Sequence, residues 1–402
     1  MTLRSRAAQP ASLSPEPRRD RAGGGGAWTR LWLAACLLVL PAAGFAQGTL
    51  AAWGLGFDGQ TTPPTNLGEV TAIGAGHLHS LVVRADGRVV AFGANSFGQR
   101  NVPAGLTGVV AVAGGGLHSL ALKADGTVVA WGDNTYLQAL PPFGLSGVTA
   151  IAAGFSHSLA LKDDGTVVAW GNDVFGQASV PTGLTGVVAI AAGAYHSLAL
   201  KSDGSVVAWG DDIDGQADVP AGLGPVSAIG AGYLLSMAVR VDGTVVVWGD
   251  LDRPRPPPVG LNNVVAVAAG DFHCLALRAD GTVVAWGFDS DGQATIPAGL
   301  DGVTAIATGG YHSLALRRVL TPQQAIRDLR ADVNRLQGVA IRNALRVKLN
   351  AALAAPNRPL ACQWLRAFSQ QVRAQRGKQL TLAQADYLIA QASDIRLLLG
   401  CR

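Results

Sequence analysis

Short apolar runs separated by glycine-containing turns make up most of this chain. Between residues 148 and 171, three such runs occupy 148–152, 157–161 and 167–170, and Asp164-Gly165 separates the last two. A glycine supplies the positive φ angle that a tight reversal between antiparallel strands requires. The pattern therefore predicts a unit of three antiparallel strands, followed by a short fourth strand around Val180 and Pro181.

This unit recurs along the chain at a nearly constant period. Successive Trp-Gly or Phe-Gly pairs are 39, 39, 39, 39, 39 and 38 residues apart, starting at Trp53, Phe92, Trp131, Trp170, Trp209, Trp248 and Trp286. A fixed period of this size is typical of solenoids, propellers or arrays. The antiparallel Asp-Gly turn inside each unit favours radial blades over a parallel solenoid.

The two ends of the repeat region complement each other. A His-Ser position, or its equivalent, occurs seven times, at His79, His118, His157, His196, Leu235, His273 and His312. The last copy stops at Arg317 without its Trp-Gly strand, and residues 50–54 supply a Trp-Gly strand that precedes every His-Ser strand. We therefore predict an all-β seven-bladed β-propeller over residues 47–318, closed by exchange of the N- and C-terminal strands, because closure leaves no sheet edge unpaired.

Residues 1–46 have the pattern of a signal peptide with a disordered basic lead-in. Arg30 precedes an apolar run over residues 31–40, and Gly44-Phe45-Ala46 suits cleavage before Gln47. The run is too short for a permanent membrane-spanning helix, and an uncleaved N-terminal anchor is the alternative. We expect an exported protein, either periplasmic or extracellular.

Charge divides the chain into three regions. Residues 1–46 have a net charge of +4, residues 47–318 of −9 and residues 319–402 of +9. A nucleic-acid-binding surface needs clustered lysine and arginine. We therefore expect the acidic propeller to bind no nucleic acid.

Residues 319–402 change to a helical period. Thr321-Pro322 and Thr381 with Gln384 are helix starts, and apolar residues recur about every four positions between them. The short connections predict a small all-α helical bundle of four antiparallel helices. This pairing brings Cys362 and Cys401 together, so we predict a disulfide between them. The basic bundle would dock on the propeller, contact an anionic envelope surface, or present a solvated face.

The repeat resembles a known family. The unit A-G-x-x-H-S-L-A-L-K-x-D-G-x-V-V-A-W-G-x-N-x-x-G-Q is similar to repeats of the regulator of chromosome condensation family, on the residues Gly154, His157, Leu159, Asp164, Gly165, Trp170, Gly171, Gly176 and Gln177. This resemblance implies seven blades. The short unit also resembles secreted propellers of the β-lactamase inhibitory protein II type, which implies binding of an enzyme through aromatic residues on one face.

Two loops of each unit are expected on the same face of the ring, because they are two strand reversals apart. Their aromatic residues are the candidate partner-binding residues, namely Phe57, Phe97, Tyr136, Phe155, Phe175, Tyr195, Tyr233, Phe272 and Tyr311. Aromatic side chains on a rigid scaffold suit protein docking; packing into neighbouring blades is the alternative. Residues 250–258 replace the usual Gly-Gln with prolines, Arg253 and Arg255, either as a partner-specific protrusion or through drift.

The sequence contains none of the familiar catalytic motifs. We find no nucleophile elbow, phosphate loop or His-Glu-x-x-His helix. The histidines are expected to bond loop backbone, since equivalent positions in different blades lie too far apart to share a zinc ion, and Asp-Gly sequences suit turns better than calcium sites. We expect no metal site and no cofactor.

These observations predict a monomeric, exported, non-catalytic protein that binds another protein through the aromatic loop face. An inhibitor of a cell-envelope enzyme such as a β-lactamase is a narrower alternative. An envelope-associated enzyme with its site in the propeller channel is the alternative from a different class.

Overall fold

The computed structural model describes residues 47–250, 256–319, 321–336 and 340–401. The predicted signal peptide over residues 1–46 and the residues Arg253 and Arg255 lie outside these ranges. The repeats form seven three-stranded antiparallel sheets, which confirms the predicted seven-bladed propeller.

The strands follow the repeat. Six blades are continuous in sequence: β2 Val70–Ala75, β3 His79–Arg84 and β4 Val89–Gly93; β5 Val109–Gly114, β6 His118–Lys123 and β7 Val128–Gly132; β8 Val148–Ala153, β9 His157–Lys162 and β10 Val167–Gly171; β11 Val187–Ala192, β12 His196–Lys201 and β13 Val206–Gly210; β14 Val226–Ala231, β15 Leu235–Arg240 and β16 Val245–Gly249; β17 Val264–Ala269, β18 His273–Arg278 and β19 Val283–Gly287. The seventh blade combines β20 Val303–Thr308, β21 His312–Val319 and β1 Gln47–Gly54.

Strand exchange closes the ring as the sequence predicts. Strand β1 pairs antiparallel with β21 along its whole length, from Gln47 opposite Val319 to Gly54 opposite His312. The first strand of the described chain thus completes the sheet that begins with β20. In an open ring the edge of β21 would be unpaired, and its pairing with β1 removes this exposed edge.

Asp-Gly turns set the reversals at one end of each blade. In the second blade, Gly126 has a φ of 78°, and Asp125 Oδ1 accepts hydrogen bonds from the Thr127 amide at 3.1 Å and the Thr127 hydroxyl at 2.6 Å. The side chain of Asp125 therefore holds the turn locally.

The predicted fourth strand is wrong. Val180 and Pro181 lie outside the sheets. Their backbone groups form local hydrogen bonds: the Val180 amide donates to the Ala178 carbonyl at 3.2 Å, and the Leu184 amide donates to the Pro181 carbonyl at 3.1 Å. A proline lacks the N–H that a strand ladder needs. This connection is a turn and not an outer strand.

The core of the ring lies between blades. Leu159 and Leu161 of the third blade pack with Val187, Ile190 and Trp209 of the fourth, and all five are buried. The same arrangement recurs around the ring, so each blade buries its faces against its two neighbours.

The C-terminal residues form four helices, α1 Pro322–Arg335, α2 Arg342–Leu353, α3 Arg358–Gln375 and α4 Leu382–Leu398. Consecutive helices contact each other, and α4 contacts α1. Thr321 and Thr381 cap α1 and α4, and Thr381 forms a capping box with Gln384. No helix in the described ranges is both long and apolar enough to cross a membrane.

A disulfide joins Cys362 of α3 to Cys401, with the two Cα atoms 5.8 Å apart. The bond connects the start of α3 to the end of α4, as their positions predict. Closing a loop of this length stabilises a fold by about 4 kcal/mol in the chain-entropy model.

Candidate functional site

Buried histidines tie neighbouring blades together. Each Nε2 lies 2.9–3.0 Å from a serine hydroxyl of the next blade, in the pairs His79–Ser119, His118–Ser158, His157–Ser197, His196–Ser236, His273–Ser313 and His312–Ser80. The expectation that these histidines bond loop backbone is therefore wrong in detail, because their partner is a side chain.

The direction of these bonds follows from the serine. Ser197 donates its only hydroxyl proton to the Gln177 carbonyl at 2.9 Å, so it accepts from His157 Nε2–H. The Nδ1 atoms of His79, His118, His157, His196 and His312 are buried without a hydrogen-bond partner among the described residues. Burial lowers the pKa of His157 to about 3 and that of His196 to about 4. These rings are neutral structural groups.

The glutamine completes the network. The Gln177 carbonyl also accepts the Trp209 Nε1–H at 3.0 Å, so both of its lone pairs have donors. The Gln177 side-chain Oε1 accepts from the Phe175 amide at 2.9 Å. The same glutamine thus binds two blades together and positions a loop residue on the face of the ring.

One interface has different residues at the positions of this network. Leu235 stands at the histidine position of the fifth blade, Cys274 at the serine position of the sixth, and the intervening loop has no Gly-Gln. Both side chains are fully buried in one apolar cluster. The histidine, the serine and the glutamine of the network are therefore all replaced by other residues at the interface beside the proline loop.

Within the described residues, no three histidine, cysteine, aspartate or glutamate side chains converge as metal ligands. The ring of histidines does not form such a group because each Nε2 is committed to a serine of the next blade. The repeat places these residues at blade interfaces, where they stabilise the ring.

The face opposite the Asp-Gly turns carries the candidate binding residues. We call it the mouth face, and it consists of the loops between the first and second strand of each blade and the loops from the third strand to the glutamine. Phe175 from the second kind of loop contacts Tyr195 from the first kind, with ring centroids 5.4 Å apart. The two loops share one face, as expected.

Six side chains form a closed circuit of ring contacts at the centre of the mouth face. Neighbouring centroids are 5.6–6.4 Å apart in the order His77, Phe155, Tyr195, Tyr233, Phe272 and Tyr311. These distances are typical of favourable aromatic pairs. All six residues are partly buried, so each ring packs on its neighbours and still presents surface to solvent.

The remaining candidates lie outside this circuit and are more exposed. The exposed fractions are 93% for Phe57, 52% for Phe97, 49% for Tyr136 and 44% for Phe175. We call these four residues the outer rim. The two alternatives left open by the sequence, packing and exposure, therefore apply to different residues: the circuit packs, and the outer rim is exposed.

Sequence reasoning missed three residues of this face. His77 closes the circuit, Asp271 Oδ2 lies 2.9 Å from His77 Nε2, and Phe288 contacts Phe272 with centroids 6.2 Å apart. His77 and Asp271 occupy variable positions of the same loops as the aromatic candidates. A search of those positions for any large or charged side chain would have found both.

Half of the described acidic residues of the propeller lie on the mouth face. Its described loop residues include ten aspartates and neither lysine nor arginine: Asp58, Asp133, Asp173, Asp211, Asp212, Asp214, Asp250, Asp271, Asp289 and Asp291. At the opposite end, basic residues pair with the turn aspartates, as in Lys123–Asp125 at 2.7 Å and Lys162–Asp164 at 2.9 Å. Among the described loop residues, the mouth face is therefore acidic, whereas lysines accompany the turn aspartates at the opposite end.

A cavity of about 1040 Å³ lies inside the ring and is lined by the first strands of all seven blades. Its wall is apolar along the middle, with isoleucine, valine and alanine side chains. His77, Phe155, Tyr233 and Asp271 line it at the mouth face. Burial, a contact with Tyr233 and the Asp271 charge raise the pKa of Tyr195 to about 12, so its hydroxyl stays protonated.

This architecture defines a seven-bladed β-propeller with a central channel and one acidic, aromatic face. The model of the regulator of chromosome condensation (RCC1) repeat matches residues 70–99, 109–138, 148–177, 187–216 and 264–293. These five ranges are thus RCC1 repeats. The matched ranges leave out the fifth blade, in which the histidine and the Gly-Gln are missing, and the seventh blade, which the two ends of the repeat region share. No curated protein matches the sequence significantly.

Solved structures share the fold. Prp20p from Saccharomyces cerevisiae is 20% identical, with 73% of this chain and 95% of that chain covered and a TM-score of 0.57. Yeast RCC1 (Prp20) bound to Kap60 is 19% identical, with 78% and 98% covered and a TM-score of 0.59. Human WBSCR16 is 18% identical, with 68% and 99% covered and a TM-score of 0.54. At these identities the likeness concerns the fold.

Proposed function

We propose that this protein is an exported, non-catalytic binding protein that docks another protein on its mouth face. The observation that carries the proposal is that the half-buried aromatic circuit and the exposed outer rim lie on the same face. Rigid aromatic side chains bury large area with little loss of conformational freedom. Export rests on the N-terminal signal pattern of the sequence.

Similar folds support protein binding as the general role. The structure of Prp20p is described together with its binding to Gsp1p and histones, and yeast RCC1 has been crystallised with Kap60. Inhibition of an envelope enzyme is a narrower form of the same proposal. The basic helical bundle adds a second proposal, a peripheral contact with an anionic envelope surface.

The outer rim permits a test that leaves the core intact. We expect the combined substitution of Phe97, Tyr136 and Phe175 by alanine to reduce capture of the protein partner at least tenfold, because these side chains are exposed and bury area only on docking. Capture from envelope and medium fractions of the source cells, quantified by mass spectrometry, measures this loss.

Phe143→Ala is the matched control, because Phe143 is fully exposed but lies on a loop outside the mouth face. The control should capture the partner as the parent chain does. Equal capture by the triple variant, or turnover of a small substrate by a protein that captures nothing, contradicts the proposal.

A further inference from the structure

The channel end at the mouth face combines a carboxylate with aromatic rings. The Asp271 side chain is 14% exposed and its Oδ2 lies 2.9 Å from His77 Nε2. Phe155 and Tyr233 line the same end of the cavity. Asp271 also contributes to the raised pKa values of Tyr195 and Tyr311, so its field reaches the hydroxyls of both tyrosines.

Small residues leave room for this arrangement. A Cβ atom on Gly310 would lie 2.5 Å from His77 Cδ2 and 3.0 Å from Asp271 Oδ2. A Cβ atom on Gly116 would lie 2.5 Å from the Phe155 carbonyl oxygen and 3.0 Å from Phe155 Cγ. Larger residues at either position would displace the carboxylate or the ring from the channel end.

The charge of the surroundings selects the ligand. The ten aspartates of the mouth face repel an anion, and their electric field extends over about a Debye length. A neutral apolar group would gain nothing from a largely buried carboxylate. A cation gains from both the carboxylate and the faces of the rings.

We propose that this end of the channel binds a guanidinium or ammonium group, presented by an arginine or lysine side chain that the docked protein inserts. The proposal rests on the proposed function and specifies the partner: a basic surface with one protruding cationic side chain. The head group lies beside Asp271 and against Phe155 or Tyr233, and the aliphatic stem contacts the apolar residues of the channel end.

A small cation tests this site without knowledge of the partner. The probe is n-butylguanidinium, titrated into the full chain and followed by ligand-detected NMR, and n-butylurea is the neutral probe of the same shape. We expect saturable binding of the cation and at least tenfold weaker binding of the urea, because a hydrogen bond to a charged group contributes about 1.5–3 kcal/mol.

Two variants of equal charge separate a built site from general attraction. Asp271→Asn should weaken binding of n-butylguanidinium at least tenfold. Asp58→Asn removes the same charge from an exposed position of the mouth face and should change the affinity less than twofold. Urea denaturation followed by tryptophan fluorescence establishes that both variants are folded before titration.

Three results overturn the inference: no saturable binding of the cation to the parent chain, equal binding of cation and urea, or equal weakening by the two variants. None of these results touches the outer-rim test, which measures capture of the whole partner. Conversely, loss of capture by the outer-rim variant with an unresponsive channel end leaves docking in place and removes only the cation site.

Discussion

Different residues are buried at the interface between the third and fourth blades and at the interface between the fifth and sixth blades. In the first, His157 donates to Ser197, Ser197 donates to the Gln177 carbonyl, and Trp209 fills the second lone pair of that carbonyl. In the second, Leu235 and Cys274 are fully buried in an apolar cluster.

The histidine and the serine are replaced together at the interface between the fifth and sixth blades. Removing one partner of a buried hydrogen bond leaves the other unsatisfied, whereas replacing both partners by apolar groups can be nearly neutral. We therefore expect an interface that keeps only the histidine or only the serine to be less stable than one that keeps both or replaces both.

Acid should have the largest effect on this contrast, because it acts on the histidine interfaces alone. Burial lowers the pKa of His79, His157 and His312 to about 3 and that of His118 and His196 to about 4. The ordinary pKa is about 6.5. The unfolded chain therefore binds protons that the folded chain does not, and stability is complete above pH 6.5 and falls as the pH falls below it.

At pH 5 the expected loss is about 2 kcal/mol for each histidine, or about 10 kcal/mol for these five. That sum is comparable with the whole stability of a typical domain. Denaturant titrations at several pH values, followed by tryptophan fluorescence, should show the free energy of unfolding constant between pH 8 and 7 and collapsing between pH 6.5 and 5. A flat profile down to pH 5 would mean that the histidines are protonated in the folded ring.

A partial chain can be made at one regular interface. We expect Ser197→Cys to lower the free energy of unfolding by about 2 kcal/mol, because the buried His157 N–H loses its acceptor. Adding His157→Leu copies the Leu235 and Cys274 pair and should recover more than half of this loss. Equilibrium urea unfolding at pH 7.5 gives both values and the coupling energy between the two sites.

The double variant also carries one histidine fewer. Its free energy of unfolding should fall about 2 kcal/mol less than that of the parent chain between pH 7.5 and 5. If the effects of the two substitutions on the free energy of unfolding add without coupling, the expectation that the histidine and the serine must be replaced together is wrong.

Much of this fold is predictable from the sequence, because the same turn and strand residues recur at the same positions of each unit. Asp164-Gly165 marks one kind of turn, and the Trp-Gly strand at residues 50–54 marks the missing partner of the last sheet. The prediction of a strand at Val180 and Pro181 is wrong because Pro181 has no N–H to donate and the segment forms local backbone hydrogen bonds. The helix caps Thr321 and Thr381 were readable because capping is local.

The site was less predictable, because it depends on distances between blades. His157 and Ser197 are 40 residues apart, and no local pattern shows which serine a histidine reaches. The His77–Asp271 contact spans 194 residues. A repeat sequence shows which positions are equivalent, but it does not show which variable side chains meet across the ring.

The smallest expected effect concerns a turn that departs from the repeat without loss of the network. Leu137 has a φ of 65° at the position where Gly59, Gly98, Gly176, Gly215 and Gly292 have φ values of 75–84°. Its side chain is 58% exposed, so it gains little from packing. The left-handed conformation costs a residue with a Cβ about 1–2 kcal/mol, and glycine's extra chain entropy offsets about half of that.

We therefore expect Leu137→Gly to raise the free energy of unfolding by about 0.5–1 kcal/mol, measured as a higher urea midpoint. Gly176→Leu, in the equivalent turn one unit later, is the matched control and should lower stability by a similar amount. Ser158 still donates to the Gln138 carbonyl at 3.0 Å beside the strained turn. Strain in the turn is therefore separable from the polar chain, and a destabilised Leu137→Gly variant would show that the leucine side chain contributes packing that outweighs it.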